Sequence, residues 1–164
     1  MSNPPCAKAQ LVGSCRVKKI RLFFLVAVAA LMGLPSARAD LSWLTDYEQA
    51  RQQAKANKKL LLLDFTGSDW CGWCIRLRRE VFSKPEFQEY ADKNLVLMEV
   101  DFPRGKEQTR DLRQQNQNLA MQYEIQGFPT IIVLNGEGKK VGELGYMQGG
   151  PAAFISELER LRKI

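Results

Sequence analysis

Residues 60–65, Leu-Leu-Leu-Leu-Asp-Phe, are apolar at consecutive positions, with Asp64 as the single exception. Bounded by Asn57-Lys58-Lys59 and by Thr66-Gly67-Ser68-Asp69, the run reads as a buried strand that ends in a loop. A strand with no polar face needs cover on both sides. The rest of the chain supplies it. Residues 43–56 carry Trp43, Leu44, Tyr47, Ala50 and Ala54 at helical spacing, with Ser42 placed to cap. A second helix is expected from Cys71, with Cys74, Leu77 and Val81 on one face, Arg76, Arg79 and Glu80 facing outward, and a break at Pro85. A short helix over 85–93, a buried strand over 95–100 and a helix with a long polar lead-in over 106–123 follow. Two strands, 130–134 and 140–144, flank the turn Asn135-Gly136-Glu137-Gly138, and a terminal helix runs over 151–162 with Pro151 in its first turn. Alternating strands and helices followed by an antiparallel pair predict an α/β fold, a mixed central β-sheet flanked by helices on both faces.

The net charge of +6 belongs to one end of the chain. Lys8, Arg16, Lys18, Lys19, Arg21 and Arg38 precede the first acid, and from Asp40 onward 18 basic residues face 18 acidic ones. No clustered basic face is needed to explain the total, which argues against a nucleic-acid partner. Residues 1–21 are polar and basic, residues 22–34 are apolar, and Leu-Pro-Ser-Ala-Arg-Ala closes with the small residues Ala37 and Ala39. This is the order of a secretory signal peptide over 1–39, cleaved between Ala39 and Asp40, which leaves a domain over 40–164 in the periplasm or outside the cell. The apolar run of 13 residues is short of the roughly 20 that cross a bilayer, so an uncleaved membrane anchor is the lesser alternative.

The chain has no histidine, which removes imidazole bases, Cys-His nucleophile pairs and imidazole zinc sites. Cys6 and Cys15 lie in the leader, so the exported domain keeps Cys71 and Cys74 alone. A disulfide across two residues closes too short a loop to stabilise a fold appreciably. In a compartment where disulfides form, such a pair is better explained by cycling. A zinc site would need ligands that the domain lacks, and heme attachment would need a histidine where Ile75 stands. At a strand-to-helix junction, unpaired N–H groups and the helix dipole stabilise a thiolate, so Cys71 is expected to attack and Cys74 to resolve. Asp64, costly inside an apolar strand, is either the buried acceptor of the Cys74 proton or a residue that turns the strand end. Trp70 and Trp73, beside and between the thiols, face substrate or fill core. Arg76, Arg78 and Arg79 read as a solvated helix face, with a docking patch as the alternative.

Asp64-Phe65, Trp70-Cys71-Gly72-Trp73-Cys74 and the distant Gly127-Phe128-Pro129-Thr130 before a strand, in this order with helices between, resemble the thioredoxin superfamily. The resemblance covers residues 43–161. It implies a thioredoxin-like fold, with Pro129 as a cis-proline against the cysteine pair and Phe128 and Thr130 offering backbone groups to an extended peptide. It makes Gly145 the glycine that keeps the groove open. Three departures stand out: one extra residue in 66–69, Trp73 where thioredoxin has proline, and Glu99 where some thioredoxins have a lysine. Residues 102–123 are also longer than usual.

The expectation is an exported thiol-disulfide oxidoreductase, reductase or isomerase rather than oxidase. Cys71, Cys74 and Asp64 would be catalytic, and Trp70, Trp73, Phe128, Pro129, Thr130 and Gly145 would bind substrate. It calls for no cofactor, metal or nucleic acid. Its partners would be protein or peptide thiols and disulfides, with a membrane thiol protein as electron donor, and a monomer is expected. The alternative is a thioredoxin-fold peptide-binding module with a static Cys71–Cys74 disulfide.

Overall fold

A computed structural model describes residues 41–163. The expected leader, its cleavage between Ala39 and Asp40, and the domain boundary there lie outside the described residues. Five strands form one sheet: β1 (Trp43–Leu44), β2 (Leu60–Thr66), β3 (Leu95–Asp101), β4 (Thr130–Leu134) and β5 (Lys140–Leu144). Their spatial order is β1-β3-β2-β4-β5, parallel from β1 to β2 and antiparallel from β2 to β5. The sheet is mixed, and β2 is its centre. All seven β2 residues are buried, as a strand with neighbours on both edges and helices on both faces requires.

The helices are α1 (Tyr47–Asn57), α2 (Gly72–Leu77), α3 (Pro85–Asn94), α4 (Arg110–Gln122) and α5 (Gly150–Leu161). Leu60 and Leu62 share one core with Leu77, Val81, Phe82, Phe87 and Phe154, so α2, α3 and α5 cover that face. Leu61, Leu63 and Phe65 point the other way, into a core with Ala50 and Ala54 of α1 and Leu119 of α4. The alternation along β2 thus divides the hydrophobic residues between two cores. Each buried Leu or Phe contributes about 1.5–3 kcal/mol relative to exposure.

The first helix starts later than its spacing suggests. Trp43 and Leu44 pair with Leu97 and Met98 as β1, and the cap is Asp46, whose carboxylate accepts from the Gln49 N–H at 2.7 Å, rather than Ser42. Trp43 and Leu44 satisfy a helical period, yet the open edge of β3 offers backbone partners that a local pattern cannot reveal. The second departure follows α2. Residues Arg78–Phe82 form a π-turn in which the Ser83 N–H donates to the Arg78 carbonyl at 2.8 Å. The extra residue in that turn lets the consecutive Val81 and Phe82 both face the core. Phe82 then meets Phe87, Phe154 and Trp43 at ring-centroid separations of 5.0, 5.6 and 5.2 Å.

Candidate active site

The loop leaving β2 is tightly wound. The Cys71 N–H donates to the Gly67 carbonyl at 2.8 Å, and Cys71 is the N-cap of α2, one position ahead of the first turn expected for it. Its Sγ accepts from the Cys74 N–H at 3.2 Å and is bonded to Cys74 in a disulfide. Both sulfur residues are buried, Cys71 at 7% exposure and Cys74 at 5%, so Cys74 is barely the deeper of the two. The sulfur at the cap position lies where orphan helix N–H groups concentrate positive potential.

Asp64 lies on the β2 face that carries Leu60 and Leu62, the face covered by α2. It is 4% exposed, and its Oδ1 has no hydrogen-bond partner. Its pKa is pushed up from 3.8 to about 7 by burial first, then by the Glu99 carboxylate, partly offset by Arg78 and reinforced by Asp101. Glu99 is the in-register neighbour of Asp64 on β3 and forms an ion pair with Arg78 from the π-turn. A lone carboxyl that is buried, unpartnered and half-ionised near neutrality is equipped to exchange a proton. Arg78 therefore is not merely a solvated helix residue.

Each cysteine follows a tryptophan, and each tryptophan belongs to its own aromatic group. The Trp70 Nε1–H donates to the Phe102 carbonyl at 2.8 Å, its ring meets Phe128 edge-on at 5.9 Å, and Phe128 stacks on Phe102 at 5.2 Å. Phe128 leads into Pro129 through a cis peptide bond. Opposite Pro129 lies Gly145, where an added Cβ would stand 3.7 Å from the Pro129 carbonyl oxygen. Thr130 begins β4 opposite Phe65, and its hydroxyl donates back to the Gly127 carbonyl at 2.8 Å. Trp73, 56% exposed, packs on Tyr146 at 5.0 Å, and the Arg76 guanidinium lies over both rings. Glu80 accepts from Arg76 at 2.9 Å and from the Tyr146 hydroxyl at 2.7 Å, and both bonds hold its carboxyl below the usual range. Trp70 and Trp73 are thus surface residues, not core.

The structure joins Trp70 to Phe128, which leads into cis-Pro129, and sets Gly145 against Pro129, while Trp73 packs with Tyr146, the residue after Gly145; Thr130 turns its hydroxyl to Gly127. Sequence reasoning missed Tyr146, Phe102 and Arg104. Tyr146 directly follows Gly145, and the spacing of Arg76 and Glu80 is a helical ion-pair signal; nothing local marks Phe102 or Arg104. Among the described residues no group of three or more Cys, Asp or Glu gathers as metal ligands, and no helix is long and apolar enough to cross a membrane.

Comparison with known proteins agrees with this geometry. The family model described as a thioredoxin-like domain matches residues 47–162. The disulfide bond reductase DsbH of Chlamydia pneumoniae is 38% identical over 130 residues, 79% of this chain and 78% of that protein. The thioredoxin-related protein DsbJ of the same organism is 30% identical over 143 residues, 83% of this chain, which spans only 40% of that longer relative. A solved structure of a DsbH oxidoreductase superimposes with a TM-score of 0.73 at 38% identity, covering 80% of this chain and 91% of the other. Fold, cysteine motif and cis-proline converge, and the chain belongs to the thioredoxin superfamily, as a thioredoxin-like domain protein.

Proposed function

We propose that this protein is an exported thiol-disulfide oxidoreductase that reduces or isomerises protein disulfides through Cys71, Cys74 and Asp64. The observation that carries the reading is a Cys71–Cys74 disulfide at the α2 cap, on the side of β2 where the unpartnered Asp64 carboxyl lies. The structure corresponds to the oxidised half of the cycle. In the dithiol form the Cys71 thiolate attacks one sulfur of a substrate disulfide, and the first substrate thiolate leaves. The Cys74 thiol then gives its proton to Asp64, and its thiolate attacks the Cys71 sulfur. The second substrate thiolate departs, two electrons have passed to the substrate, and the Cys71–Cys74 disulfide is restored. Trp70, Trp73, Phe128, Pro129, Thr130 and Gly145 hold the substrate backbone across the pair.

The reducing direction is supported by the named activity of a relative that matches 79% of this chain, a disulfide bond reductase. In an oxidising compartment the spent disulfide needs a donor, and a thiol-exchange protein of the membrane fits that need. Export rests on the leader at 1–39, and the exported protein should begin at Asp40 by intact-mass measurement. The redox role is tested with Cys71→Ser in insulin disulfide reduction driven by dithiothreitol. Activity should vanish; a Cys71→Ser protein that still reduces insulin overturns it. For direction, the pair should equilibrate with glutathione near about −270 mV, and a value near about −120 mV would make the protein an oxidant.

A further inference from the structure

The loop after β3 is tied to the loop after β2 residue by residue. The Asp101 carboxylate accepts from the Ser68 N–H at 2.9 Å and from its hydroxyl at 2.6 Å, and the Phe102 N–H donates to the Thr66 carbonyl at 2.8 Å. Asp69 accepts from the Arg104 N–H at 3.1 Å and from the Gly105 N–H at 2.6 Å. Those two amides hold the Asp69 carboxyl below its usual range, so it stays ionised and engaged with the backbone. The extra residue in 66–69 and the long segment after β3 therefore fit each other. Their joint product is the position of Arg104.

The Arg104 guanidinium carbon lies 3.9 Å from the centre of the Trp70 ring, whereas the other arginine–aromatic contacts among the described residues span 5.1–5.7 Å. The other arginines in such contacts also have carboxylate partners: Arg51 with Glu48, Arg76 with Glu80 and Arg78 with Glu99. Arg104 is exposed, and among the described residues its side chain has no hydrogen-bond acceptor and no acid. A guanidinium held this close over an indole is restrained while its five N–H donors stay unused, and their planar fork is one that takes a carboxylate bidentately. Lys106, two residues on, has its Nζ donating to the Ser68 hydroxyl at 3.1 Å. From Arg104 the contacts run through Trp70, the residue before Cys71, to Phe128, which leads into cis-Pro129.

We propose that Arg104 is a specificity residue, stacked on Trp70 beside the cysteine pair to receive a carboxylate of the substrate polypeptide near the disulfide under attack. The assignment rests on the redox reading above and names the substrate class: disulfides flanked by Asp or Glu. Because the stack already fixes the guanidinium, little side-chain entropy is lost when the carboxylate arrives.

The test uses two peptide disulfides that differ only in a flanking Glu or Lys, with dithiothreitol as electron source and kcat/KM measured for each. The ratio within one enzyme cancels any general loss of activity or folding. The parent should prefer the Glu peptide by about tenfold at low ionic strength, and the preference should collapse near about 1 M salt. Arg104→Gln should bring the ratio near unity, Arg104→Lys should keep its direction, and Arg104→Glu should reverse it. Equal rates for the two peptides with the parent, or a preference that survives Arg104→Gln, would overturn the inference and leave the redox role standing. No turnover of either peptide by the parent would overturn both.

Discussion

Replacing Asp64 with Asn tests the buried acid through stability as well as rate. Asp64 titrates near 3.8 in an unfolded chain and near about 7 in the folded protein, mainly because burial disfavours its charge. The folded state therefore binds its proton more tightly. Stability linked to Asp64 is fully present below about pH 4 and is lost as pH rises through about 7. Three units at 1.36 kcal/mol each make the full loss about 4 kcal/mol, of which about 2.5 kcal/mol falls between about pH 5 and about pH 8. The uncharged amide of Asn removes this dependence. Urea unfolding of the oxidised parent and Asp64→Asn proteins at those two pH values isolates it, because groups remote from Asp64 contribute equally to both proteins. The variant should gain about 2.5 kcal/mol on the parent between the lower and the higher pH. A stability difference that is the same at both would refute the claim that Asp64 is a desolvated, titrating acid. In turnover, Asp64→Asn should slow release of the mixed disulfide by about 100-fold and abolish the rise of its rate with pH through about 7.

Cys74→Ser should trap the substrate on Cys71 as a stable mixed disulfide, visible as a mass increase equal to one substrate chain; a Cys74→Ser protein that turns over would reassign the resolving step. At Gly67 an added Cβ would stand 2.5 Å from Trp70 Cε2, so Gly67→Ala should force the indole aside, cost about 1–3 kcal/mol in urea unfolding and shift the tryptophan emission. Asn116 is buried on α4 and donates to the Asp101 carbonyl at 2.9 Å, an acceptor that Gln108 also fills at 3.1 Å. Asn116→Ala should therefore cost about 1 kcal/mol, and a neutral result would show that the Gln108 bond suffices.

The parts of this molecule that were legible in its sequence are those set by local pattern. Consecutive leucines at 60–63 announced a strand covered on both faces, and the 130–134 strand has the predicted bounds. The cysteine motif and Phe128-Pro129 located the site because each needs only neighbouring residues to be recognised. What stayed hidden depends on partners far along the chain. Trp43 and Leu44 fit a helical period and became a strand because β3 had an open edge. The π-turn at Arg78–Phe82 follows from a core that takes both Val81 and Phe82. The sequence shows one extra residue somewhere in 66–69, and only the structure pairs Asp69 with the amides of Arg104 and Gly105.

That clasp has a consequence for how such a protein can diverge. Residues 101–105 are fastened at their start to 66–69, so the stretch from Lys106 to the Thr109 cap of α4 begins and ends at fixed points on the scaffold. Lengthening a loop between fixed points costs little, about 0.6 kcal/mol per doubling. The sulfur chemistry, by contrast, hangs on β2 and α2, where a single methyl group is felt. A lineage can therefore vary the loop beside Trp70 while inheriting the Cys71–Cys74 pair and its strand unaltered.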